Sequence, residues 1–147
     1  MSFFKIWIHA VWGTKNRIPI LQKEKRELLF QHIKTYALQK EIYVDCIGGF
    51  DDHVHCLFEL HAEISLAKTM QLLKGESSHW ANQQRLFSAK LDWANEYFAC
   101  SVSESVVEKV RVYIQNQEEH HRKMTFADEY KLFLQKYDLR RDKQRHP

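Results

Sequence analysis

The sequence predicts an α+β domain, an antiparallel sheet with helices on one face and the other face left for a site. Three observations lead there. Short β-branched and aromatic runs alternate with helical stripes in the order βαββαβαα. The 147 residues match one domain, and four glycines and two prolines leave little room for long irregular stretches. The third strand alternates cleanly between an apolar face and a polar one.

The elements follow in order. Residues 3–12, with Phe3, Ile6, Trp7, Ile8, Val11 and Trp12, read as a first strand. A polar connection, 13–19, leads to a helix over 21–40 whose stripe is Leu21, Leu28, Leu29, His32, Ile33, Tyr36 and Ala37. Residues 42–50 form a second strand, Asp51-Asp52 a tight turn, and 53–60 a third strand, making a hairpin. Leu66, Met70, Leu73, Ser77 and Trp80 mark one face of a second helix. Gly75 interrupts that helix at up to about 1 kcal/mol against Ala, so a close backbone approach is expected there. Residues 96–102 suggest a fourth strand. A third helix is expected from Ser101–Ser105 to Lys123, with capping-box spacing in Ser101/Glu104 and Ser105/Glu108. Glu118–Arg122 and Glu119–Lys123 support it at i,i+4 and read as a solvated face. A short last helix covers roughly 125–137.

Composition excludes several classes. No stretch approaches 18 uncharged apolar residues, so no transmembrane helix is expected. Lys5 and His9 come early and no small-residue cleavage site follows, which argues against a signal peptide. Cys46, Cys56 and Cys100 are odd in number and widely spaced, as in a reduced, cytoplasmic protein. The net charge of +3 invites a nucleic-acid reading, but residues 139–147 hold four Lys/Arg and one Asp and so account for all of it. DNA binding would therefore depend on a local patch.

His53-Val54-His55 carries the sharpest chemistry. His53, His55, Leu57 and Glu59 share one strand face; Val54, Cys56, Phe58 and Leu60 share the core face. The two imidazoles point together, about 6.5–7 Å apart at Cα, and suit one divalent metal with open positions. Position 57 is Leu, which excludes a third alternating His, and no His has Thr or Ser two residues on, which excludes a two-His phosphodiesterase. On the third helix Val106, Val110, Tyr113, Gln117 and His120 or His121 step by three and four, so Tyr113 and Gln117 project together. His120 and His121 could assist a metal or a phosphate, but the flanking charges favour surface positions. Tyrosine, with an ordinary pKa near ~10, is a weak nucleophile that needs an activated electrophile such as a metal-bound phosphodiester. Gln117 offers an oxygen one turn away as a third ligand.

In this order and spacing the fragments 9–15, 48–55, 73–78 and 113–123 resemble the single-tyrosine HUH transposases, including the REP-associated tyrosine transposases of bacteria. The resemblance implies a ferredoxin-like, RRM-like sheet with the tyrosine helix near its open face, residues 1–138 as the catalytic domain and 139–147 as a basic tail. It implies His53 and His55 as the metal pair, Gln117 as third ligand and Tyr113 as nucleophile. It implies Mg²⁺ or Mn²⁺, single-stranded DNA cleavage through a 5′-phosphotyrosine, and a hairpin-containing DNA partner. It also implies a bacterial, nucleoid-associated homodimer, often with the His pair of one subunit facing the tyrosine of the other. Lys15, Arg17, Lys68, Lys74, Arg122, Lys123, Arg140 and Arg141 are candidate DNA contacts, with Lys143 and Arg145 further along the tail; Trp7, Trp12 or Trp93 could stack on bases. Two rival readings are a non-catalytic single-stranded nucleic-acid-binding module on an RRM-like sheet and a small metallo-hydrolase.

Overall fold

The computed structural model describes residues 2–136. The basic tail, with Arg140, Arg141, Lys143 and Arg145, lies outside the described residues. Four strands, β1 (Trp7–Gly13), β2 (Val44–Gly49), β3 (His53–Glu59) and β4 (Phe98–Val102), form one sheet in the order β2-β3-β1-β4. Every pairing is antiparallel. Helix α1 (Lys23–Gln39) links β1 to β2 and α2 (Leu66–Gln83) links β3 to β4, which is the split βαβ topology of a ferredoxin-like fold. Among the described residues no helix is long and apolar enough to cross a membrane.

Helices α1 and α2 cover one face. Ala10, Trp12, Val54, Cys56 and Phe58 project from the strands into Leu29, Phe30, Ile33, Met70 and Leu73, forming the main core. The alternation expected of β3 holds, because the core face is the one that carries Val54, Cys56 and Phe58. The α1 stripe is rotated from the expected one: Arg26, Leu29, Phe30, Ile33 and Ala37 are buried, while Leu28 is 54% exposed. Trp7, Trp12 and Trp93 are all buried and unavailable for base stacking. The three cysteines are free thiols.

The second face of the sheet is not left bare. Three helices fold over it: α3 (Val107–Gln115), α4 (Gln117–His120) and α5 (Phe126–Lys136). Val107 and Ile114 of α3 pack on Trp7 and Leu57, and Phe126 of α5 packs with Val11 and Phe98. The long third helix expected from the pattern is broken at Asn116, whose φ of −103° and ψ of 27° leave the helical region. Neither expected capping box forms; a 3-10 turn over Glu104–Val106 precedes α3, whose N-terminus has no side-chain cap.

At Gly75 the expected close approach is absent, for a Cβ built there meets nothing within 4 Å. Gly75→Ala is therefore expected to stabilise the chain by roughly 0.5–1 kcal/mol through helix propensity. A denaturant midpoint that falls on substitution would contradict this.

Candidate active site

The site grows from the sheet face under α3–α5. In the β1–β3 register Gly13 lies opposite His53, Val11 opposite His55 and His9 opposite Leu57, so His9 shares the face with both histidines of β3. His53 and His55 are fully buried, not partly exposed as an isolated strand pair would be. Glycines admit the covering helices. Gly48 pairs with His55 across β2–β3, and a Cβ there would sit 2.4 Å from the Ile114 backbone oxygen of α3. Gly48→Ala should push the tyrosine helix off the sheet, costing about 1–3 kcal/mol of stability. An unchanged denaturant midpoint would show that α3 has slack at this contact. A Cβ at Gly13 would meet the Phe126 ring, which stacks flat on His53 at 4.2 Å between centroids.

Two ion pairs fix the tyrosine helix. A β-bulge between Val44 and Cys46 leaves Asp45 as the extra residue of β2, and Arg111 of α3 donates Nε and Nη2 to its two carboxylate oxygens at 2.7 and 2.8 Å. Past the break, Glu118 accepts from the buried Arg26 at 2.8 Å, so it is a tether to α1 and not simply a solvated charge.

Tyr113 and Gln117 do project together. Gln117 Nε2 donates to the Tyr113 carbonyl at 3.0 Å, which fixes the amide orientation. Gln117 Oε1 then lies 3.0 Å from His53 Nε2 and 3.0 Å from His121 Nε2. The opposite ring nitrogens are engaged: His53 Nδ1 donates to Asp52 Oδ1 at 2.8 Å, and His121 Nδ1 to the Met124 carbonyl at 2.6 Å. In neutral rings their Nε2 atoms are then lone pairs facing an amide oxygen. His55 Nδ1 is 2.9 Å from His9 Nε2, and burial lowers the His9 pKa to about 3 and the His55 pKa to about 4.

The group that sequence spacing does not reveal is Glu129 of α5. It is buried, its Oε1 lies 3.2 Å from His55 Nε2, 3.4 Å from His121 Nε2 and 3.6 Å from His53 Nε2, and the Tyr113 hydroxyl donates to its carboxylate. His120 Nε2 lies 3.0 Å from Oε2. Burial would raise the Glu129 pKa, but interaction with the imidazoles of His121 and His55 when they carry a proton outweighs it and holds the carboxyl well below the usual range. Burial, then the hydrogen bond and charge of Glu129, push the Tyr113 phenol above its ordinary value. Burial lowers the His121 pKa, yet Glu129 more than compensates and the net shift is upward.

One potential ligand atom each from His53, His55, His121 and Glu129 lies within 4.8 Å of the others. Lone pairs and a carboxylate converging in a buried space call for a cation, a proton or a metal ion. His121, expected at the surface, is thus an inner member; its place at i+4 from Gln117 and i+8 from Tyr113 was the signal.

The candidate DNA contacts divide. Lys123, with Lys109, lines a surface cavity of about 590 Å³ that opens on Tyr113 and His120. Lys15 and Arg17 line a second cavity with Phe126 and Tyr130 of α5. Arg122 is exposed and pairs with Glu119 at 3.5 Å. Lys68 and Lys74 lie on α2, across the sheet from the site, and Lys74 donates to the Ala94 and Asn95 carbonyls.

A four-stranded antiparallel sheet with a histidine pair on an inner strand and a tyrosine-bearing helix laid across it defines the class, a small ferredoxin-like α+β domain. The chain belongs to the IS200-like transposase family, whose model, Transposase IS200 like, matches residues 2–117. Among solved structures, a protein of Deinococcus radiodurans R1 classed as a transposase is 23% identical with a TM-score of 0.63, covering 79% of this chain and 93% of that one. A REP-associated tyrosine transposase bound to a REP hairpin is 14% identical with a TM-score of 0.59, covering 82% of this chain and 74% of that one. These two likenesses establish the fold. No curated protein matches the sequence.

Proposed function

We propose that this transposase cleaves and rejoins single-stranded, hairpin-containing DNA through a covalent 5′-phosphotyrosine on Tyr113. His53 and His55, with Gln117 beside them, would hold Mg²⁺ or Mn²⁺. The observation that carries the reading is the joining of the nucleophile to the metal pair within one chain: the Tyr113 hydroxyl and His55 Nε2 share the Glu129 carboxylate. A bound divalent ion would orient the phosphodiester and offset the charge that develops on it.

The chain's own residues supply the rest. Asp52 and His9 hold the rings of His53 and His55, and Gly48 with the Asp45–Arg111 pair holds the tyrosine helix on the sheet. Lys109 and Lys123 draw the DNA backbone towards Tyr113. As the phenol loses its proton, the Tyr113 Oη–phosphorus bond forms and the bond to the 3′ oxygen breaks, releasing a 3′-OH. The phosphotyrosine conserves the bond for rejoining by another 3′-OH. The hairpin as partner draws support from the REP-bound neighbour. A homodimer, implied by the resemblance, is not required by this chemistry, because Tyr113 faces its own subunit's histidines.

The test is a denaturing gel with labelled single-stranded hairpin DNA and Mn²⁺. A covalent protein–DNA band is expected. Retarded DNA on a native gel without any nick would favour the non-catalytic binding module, and metal-dependent turnover without an adduct would favour the metallo-hydrolase.

A further inference from the structure

The family match covers residues 2–117, so α5 and Glu129 lie outside the matched segment. Building on the metal site proposed above, we infer that Glu129 is a ligand of the same divalent ion as His53 and His55, and that its second oxygen positions the Tyr113 hydroxyl beside that ion.

The donor atoms stand near coordination spacing, all within 4.8 Å of one another. With metal–ligand bonds of about 2.1 Å, neighbouring ligand atoms stand roughly 3.0 Å apart around an octahedral ion and roughly 3.4 Å around a tetrahedral one. Glu129 Oε1 is 3.2 Å from His55 Nε2 and 3.6 Å from His53 Nε2. Mg²⁺ and Mn²⁺ are hard ions that prefer carboxylate oxygen, and Gln117 offers only a neutral amide. Glu129 is also 98% removed from solvent, and its ion-pair partners are the imidazoles of His53, His55, His120 and His121. A buried carboxylate facing imidazoles is best compensated by a cation among them.

The chain holds Glu129 there. Thr125 Oγ1 accepts from the Asp128 N–H at the start of α5, Phe126 stacks on His53, and Tyr130 and Phe133 pack on the Val11–Phe98 cluster. The carboxylate then points inward one turn into the helix. Its Oε1 faces the imidazoles of β3 and Oε2 faces His120, while Tyr113 donates to the same carboxylate. One carboxylate thus bridges ion and nucleophile, and α5 becomes part of the centre.

Mn²⁺ binding to the full-length chain without DNA, followed by the electron paramagnetic resonance of free Mn²⁺, tests this. Glu129→Gln and His53→Ala should each weaken binding by about tenfold or more. Loss in His53→Ala with wild-type affinity in Glu129→Gln would overturn the role of Glu129 alone. No loss in His53→Ala would instead overturn the metal site itself. Should Glu129→Gln not fold, crystals of the Mn²⁺-loaded wild type decide through the anomalous signal of the ion. A Glu129 oxygen at about 2.1–2.3 Å is expected, and an ion on His53 and His55 with Glu129 turned away sinks the inference.

Discussion

Tyr113→Phe is expected to abolish the covalent protein–DNA adduct and reduce strand cleavage at least about a thousandfold, with single-stranded DNA affinity within about twofold of wild type. The substitution removes one oxygen and leaves the ring in place. That ring packs edge-on to His55 at 5.5 Å and to His9 at 6.3 Å, contacts that phenylalanine keeps. The hydroxyl's hydrogen bond to Glu129 is lost, at about 1–2 kcal/mol, but the carboxylate retains His55, His120 and His121. In the proposed function DNA affinity rests on Lys109 and Lys123, which the substitution does not touch. An undiminished adduct on a denaturing gel would remove Tyr113 from the nucleophile's place.

His53→Ala is expected to eliminate metal-dependent cleavage, and excess chelator should do the same to the wild type. His53 contributes one of the converging Nε2 atoms and also the ring on which Phe126 stacks, so some loss of stability accompanies the loss of activity. A mixing experiment separates the two subunit arrangements. Tyr113 and the β3 histidines meet within one chain, so His53→Ala mixed with Tyr113→Phe should remain inactive. Recovery of cleavage in the mixture would mean that the tyrosine works on a partner's histidines. Cleavage by His53→Ala alone at the wild-type rate would dismiss the metal role of this histidine.

Much of this site was legible along the chain. A strand's period of two puts His53 and His55 on the face away from Val54, Cys56 and Phe58, whatever surrounds them. A helix's period of 3.6 joins Tyr113 to Gln117 in the same way. Local breaks were less legible. Nothing in the pattern over 105–123 announces the end of α3 at Asn116, and the helix stripe shifts so that Val107 is buried while Val106 is exposed. The Asp45 bulge inserts one residue into a strand whose composition gives no sign of it.

By itself, then, the sequence determined the four strands, their order among the helices and the two faces of β3 with the side chains on each, because those follow from the backbone's own repeat. What faces those side chains was decided by tertiary structure. Glu129 is 74 residues from His55 and reaches it only because α5 turns back over the sheet, into space left by the missing Cβ of Gly13. No periodicity spans such a distance. The partner of a buried carboxylate is chosen by packing and by the cost of burying its charge, and both exist only once the helices have closed over the sheet.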